Sequence, residues 1–162
     1  MAKLLSDENW KITFVPTLSD VSNPTVAQLN AGVDLQCLVA MNNFQLGATG
    51  ENTIDDPALC SGSNDQAPGK TTFEASMEFY RFDQDEEDVA YTTFADKGIG
   101  GYLIRRIGKD HRADYVAGDD VAVYQVITGT PRPLSPSGGY EKFALGFYIQ
   151  GGGTDERAKV VA

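Results

Sequence analysis

Histidine is almost absent from this chain of 162 residues. His111 is the only one, so no multi-histidine metal centre can be assembled. Basic side chains are scarce too: 13 Lys and Arg stand against 23 Asp and Glu, a formal net charge of −10. That balance excludes a protein that grips nucleic acid by counterion release, but not one past which DNA slides without being held. No apolar run approaches the ~18 residues that span a bilayer, so no membrane partner is expected. Residues 1–8, MAKLLSDE, lack the apolar stretch of a secretory leader, and synthesis in the cytoplasm is the expectation. There are two cysteines, Cys37 and Cys60, and no CxxC spacing. The two could pair; reduced structural thiols fit a cytosolic chain better, with Cys37 on the buried face of a strand.

Motifs for catalysis are missing as well. No GxSxG nucleophile turn occurs. Gly98–Gly101, GIGG, lacks the GK[ST] ending of a phosphate loop, and Leu103 breaks the GxGxxG pattern, so a helix–strand turn accounts for it. His111 sits in IGKDHRADY, a polar loop that reads as surface. The expectation is a protein without catalytic residues, metal or cofactor.

What is present is glycine (17), proline (7) and alternating apolar residues, the composition of a β-rich domain of residues 1–162. Trp10, Ile12 and Phe14 alternate with Lys11, Thr13 and Val15 up to Pro16. A short helix is predicted after Asn23 as cap, with Pro24 at its first position and Gly32 as a left-handed stop. A strand over 34–42 follows. Residues 45–70 show almost no apolar periodicity and read as a long projecting arm anchored by Ile54 and Leu59. From Thr71 to Arg81, Phe73, Ala75, Met77 and Phe79 share one face, and Thr72, Glu74, Ser76 and Glu78 the other. With 34–42 this predicts a long hairpin whose tip is the arm. A second helix is predicted over 83–98, with Ala90 and Phe94 inward, then strands over 102–107, 121–128 and 140–150. Residues 1–9 and 151–162 read as terminal extensions. A β-sandwich or partly open barrel with short helices beside it satisfies these elements.

Charge is segregated along the chain. Asp83, Asp85, Glu86, Glu87 and Asp88 precede Lys97, Arg105, Arg106, Lys109 and Arg112. The acidic spacing lacks the glycine and terminal glutamate of a calcium loop, so a solvated helix start is the simpler reading. Two further readings stay open: pairing of the two runs within one chain, or head-to-tail docking between identical subunits.

The stretches NPTVAQLNAGVDL, NTIDDPALCSGSNDQAPGKTTFEASMEFYR and AYTTFADKGIGGYLIRR, in that order, resemble the major tail proteins of long-tailed bacteriophages, above all those infecting actinobacteria. The resemblance spans residues 9–150. It implies a β-sandwich or open barrel whose subunits form hexameric rings, stacked into a tail tube around the tape measure protein. It further implies assembly in the host cytoplasm into the virion tail, contacts with tail terminator and distal tail proteins, and transient passage of DNA. In such a tube the arm, with Ile54 and Leu59, and the two charged runs would lie between subunits. Asp34, Gln36, Thr72, Glu74, Ser76 and Glu78, a face without Lys or Arg, would line the lumen; the solvent side of a sandwich is the other reading. A capsid decoration protein or a β-barrel ligand-binding module would share much of this composition.

Overall fold

The computed structural model describes residues 1–162. In chain order the elements are β1 (Trp10–Val15), α1 (Val26–Asn30), β2 (Val33–Asp34), β3 (Gln45–Asp55), β4 (Gln66–Tyr80), α2 (Val89–Thr93), β5 (Gly100–Ile107), β6 (Asp120–Thr128), β7 (Arg132–Pro133) and β8 (Lys142–Lys159). The eight strands form one antiparallel sheet in the order β2-β1-β5-β6-β8-β4-β3, with β7 paired to β8. The fold is mainly β with short helices, and the sheet curls without closing.

Alternation along the strands gives the sheet two apolar faces. Its concave side carries a cluster of 16 buried residues, among them Phe14, Met77, Phe79, Leu103, Tyr124, Phe143 and Phe147. Phe79 stacks on Phe143 at 5.3 Å, and Phe94 meets Phe14 and Phe147 edge-on at 5.0 and 5.4 Å, aromatic contacts worth about 0.5–1.5 kcal/mol each beyond their burial. On the convex side Val15, Ile104, Val121, Val123 and Ala158 pack with Leu29 of α1 and with Tyr115. Covering β1, β5 and β6 on both faces leaves the convex side of β4 and the first half of β8 as the open part of the sheet.

The segment 35–40 draws the ends of the sheet together. Leu35 N–H donates to the Ile12 carbonyl at 2.8 Å, Ala40 N–H to that of Glu78 at 2.8 Å, and Tyr80 N–H to that of Leu38 at 2.9 Å. The strand predicted over 34–42 is therefore two residues of β2 plus a crossing, paired to β4 only where Val39 faces Phe79. The true hairpin partner of β4 is β3, inside the stretch that reads as irregular. Its glycines and polar residues hide the strand, because beyond Leu46 and Gly47 neither face of that ribbon is buried and no alternation is needed.

Other expectations are corrected locally. The cap of α1 is Thr25: its hydroxyl accepts the Gln28 N–H and the Gln28 side chain accepts the Thr25 N–H, each at 3.3 Å, a complete capping box. Asn23 instead donates to Asp20, and the Pro24 carbonyl accepts from Val161. Gly32 is required for space rather than for handedness, since a Cβ there would lie 2.6 Å from Thr13 Cγ2. The helix predicted over 83–98 shrinks to five residues because Asp88 is drawn inward to Arg81. Residues 151–159 are no loose extension: they complete β8 against β6, across a bulge at which a side chain on Gly153 would collide with Gln125. Cys37 is exposed, not buried, as is Cys60. Thr25→Ala is expected to cost about 1 kcal/mol, read as a lower urea midpoint at unchanged slope.

Candidate assembly surfaces

β8 pairs with β4 only over Ala75–Tyr80, whereas β3 follows β4 all the way from Ser76 to Gln66. Beyond Ala75 the two strands leave the body as a two-stranded ribbon roughly 27 Å long at ~3.4 Å per residue. Phe73 returns to the body, edge-on to Tyr124 at 6.3 Å. Further out nothing is buried: Ile54 is 53% exposed and Leu59, in the tip, fully so. Glu51, Asp55, Asp56 and Asp65 make the outer ribbon acidic. An isolated two-strand ribbon is marginal in water, and its free edges offer unpaired backbone groups to another chain.

The open convex face adjoins the root of this ribbon. Thr72, Glu74 and Ser76 are exposed there and Glu78 is half-buried, accepting from Asn43 Nδ2 at 3.0 Å. Across β8 the face continues through Ala144, Gly146 and Tyr148, which lies opposite Ile127 of β6. Tyr148 is 67% exposed; its place on the outer side of β8 was readable from the alternation, but its position beside Ile127 was not. Lys142, whose ammonium lies 5.8 Å from the Tyr80 ring, and the exposed Arg132, opposite Ala144, put two cations at the border of this face. Asp34 and Gln36 do not belong to it. They sit at the other edge of the sheet, where the Asp34 carboxylate accepts from Thr13 at 2.8 Å and lies 3.6 Å from the Lys11 ammonium. The Gln36 carbonyl oxygen accepts the Ile12 N–H at 3.2 Å.

A family model described as "Phage tail tube protein" matches residues 1–162. The chain belongs to the phage tail tube protein family. It is thus a structural protein of the virion tail that self-assembles into a tube. No curated protein sequence matches it.

Within this tail tube protein the two charged runs do not pair with each other. Asp83, Asp85, Glu86 and Glu87 are exposed and take part in none of the chain's ion pairs. Asp88 is buried and bonds Arg81 Nε at 2.7 Å, while the Arg81 guanidinium lies 3.7 Å over the Tyr91 ring. The basic run has its own partners. Arg105 enters the concave side, donates to the Leu46 carbonyl at 2.9 Å, and stands 5.6 Å from both the Trp10 and Tyr124 rings. Glu156 accepts from the Tyr124 hydroxyl at 2.8 Å beside it. Burial first, and then this bond, push the Tyr124 phenol well above its ordinary value.

Arg106 is 2% exposed and holds the loop 108–119 by donating to the carbonyls of Asp110, Ala113 and Asp114 at 2.8–3.0 Å. A buried arginine cannot meet a neighbouring subunit, so this member of the expected docking run serves its own chain instead. No signal in its flanking sequence marks Arg106 as different from Arg105. Lys109 and Arg112 remain at the surface, paired with Asp119 at 2.8 Å and with Glu8 at 3.0 Å. His111 lies beside Cys37, its Nδ1 3.9 Å from the sulfur.

Proposed function

We propose that this chain polymerises as stacked hexameric rings that build the tail tube of a long-tailed phage around its tape measure protein, and that the tube conducts DNA into the host. The observation that carries the reading is the β3–β4 ribbon, whose backbone edges and apolar tip have no partner within the chain. Edge pairing with a neighbour's sheet would satisfy those groups and make the sheet continuous around a ring. The tip, carrying Ile54 and Leu59, would reach the next ring. Asp83, Asp85, Glu86 and Glu87 are free to meet cations of another subunit, and Lys109 and Arg112 are the exposed candidates; that contact would weaken as salt rises.

The lumen is assigned to the open face of β4 and β8. Thr72, Glu74, Ser76 and Glu78 would present neutral and acidic groups to passing phosphates, which basic groups would trap. In this arrangement Asp34 and Gln36 support the far edge of the subunit and stay outside the lumen. Assembly would take place in the host cytoplasm, with the tail terminator and distal tail proteins at the two ends of the tube.

Electron microscopy of the purified chain tests the reading directly. Tubes or six-fold rings are expected; a dispersed monomer that binds capsids would overturn it in favour of decoration. Glu74→Lys combined with Glu78→Lys should still give tubes but slow genome delivery at least tenfold, measured by phage DNA ejection. Tubes with both glutamates on their outer surface would sink the lumen assignment.

A further inference from the structure

The sheet stays open along one seam. β2 covers the outer edge of β1 only opposite Thr13 and Phe14, and β3 is the free edge at the far end of the sheet. At the β1 side of this seam is a cavity of about 390 Å³ walled by Trp10, Ile12, Val39, Met41 and Phe44. Trp10 and Phe44 meet edge-on at 5.9 Å, and Met41, 88% exposed, stands on the rim. An apolar recess of this size suits two aliphatic side chains.

We propose that the cavity receives residues 1–5 of a second copy of the chain, with Leu4 and Leu5 as the inserted side chains. The proposal rests on the tube reading for its partner. Leu4 and Leu5 are adjacent, 76% and 72% exposed, and neither lines the cavity of its own chain. The turn closed by Asn9 N–H on the Ser6 carbonyl makes Ser6–Glu8 a wall of the cavity, and it carries Leu4 away to lie over Gly108.

Charge decides between this segment and the other exposed apolar one, the ribbon tip with Ile54 and Leu59. The rim of the cavity holds Asp7, which takes part in no ion pair, and Glu8. Residues 1–5 contain Lys3 and no acid, whereas 51–65 contain Glu51, Asp55, Asp56 and Asp65 and no base. The rim therefore attracts the first and repels the second. Joining the start of one copy to β1 of the next is a heterologous contact, which closes a ring when its rotation allows.

Cys37 lies on the cavity wall and supplies the test. A full-length Cys60→Ser chain, with Cys37 its only thiol, is co-assembled with a tagged full-length chain carrying Leu5→Cys, Cys37→Ser and Cys60→Ser. A short bismaleimide should then give a tagged–untagged dimer on a denaturing gel. Leu4→Asp with Leu5→Asp should raise the concentration needed for assembly roughly a hundredfold while leaving monomer melting unchanged. Tubes without the mixed cross-link, or a cross-link formed only within one chain when both thiols share it, overturn this proposal and leave the tube standing. Failure of the wild-type chain to assemble at all overturns both.

Discussion

Arg106→Ala should lower the melting temperature of the monomer by roughly 10 °C, from a loss of about 3–5 kcal/mol. The guanidinium alone joins four acceptors of loop 108–119 to the sheet. One terminal nitrogen serves the Asp114 carbonyl at 3.0 Å and the Asp119 carboxylate at 3.4 Å; the other serves Asp110 and Ala113 at 2.9 and 2.8 Å. Its plane lies 5.0 Å from the Tyr115 ring, so removal also loosens the outer core. Alanine leaves the Asp114 carbonyl without a donor and the other acceptors with only their second partners, the Ala113 N–H on Asp110, Lys11 on Ala113 and Lys109 on Asp119, and an unmet acceptor costs more than the bond itself contributes. Arg106→Lys should recover less than half of the loss, because a single ammonium cannot span acceptors arranged for a planar fork. An Arg112→Ala control, at a fully exposed pair, should leave the melting temperature where it was. Equal melting of Arg106→Ala and wild type would show that the loop is not held by this residue.

The same loop predicts a pH dependence. Burial opposes ionisation of Asp119, but the Lys109 ammonium, the Val116 N–H and the Arg106 charge outweigh it and hold the carboxyl below its ordinary value of 3.8. A depressed folded-state value means that this stabilisation is complete above the ordinary carboxylate range and is lost as pH falls through the folded value. The deficit of Arg106→Ala relative to wild type should therefore narrow below about pH 4.

The second large effect is on assembly alone. Replacing residues 51–71 by Asn-Gly joins Gly50 to Thr72, which already face each other in the β3–β4 register. A two-residue turn with Asn-Gly matches the twist of such a pair. None of the removed residues is buried, so the monomer should melt as before. Polymerisation should be abolished, with only monomer in sedimentation and no tubes in the microscope. Normal tubes from the shortened chain would show that the ribbon is not an assembly element. A shortened chain that fails to fold would show that Phe73, at the root, needs the ribbon beyond it.

The primary structure by itself determined where the buried strands run. In 10–15, 71–81, 102–107, 121–128 and 140–150, alternation of large apolar residues leaves one face that must be covered, and strands of the sheet run through these segments, ending at Tyr80 and starting at Lys142 in the second and last. It also determined that a short helix follows Asn23, though the cap proved to be Thr25 in a box with Gln28, and it gave the polar face of Thr72, Glu74, Ser76 and Glu78. The tertiary structure decided everything that depends on which segments meet. β3 is a strand because β4 presents an edge to it, not because of its own pattern. Residues 151–159 are a strand because β6 presents another. Asp34 left the face it seemed to share with Glu74 because Thr13 and Lys11 lie beside it across β1. Arg105 and Arg106 look alike in sequence and are separated in space because successive residues of a strand point to opposite faces. One became a plug beside Tyr124 and Glu156, the other the anchor of loop 108–119. Local pattern reports burial and capping, which are properties of neighbours in the chain; pairing partners and buried charges depend on neighbours in space.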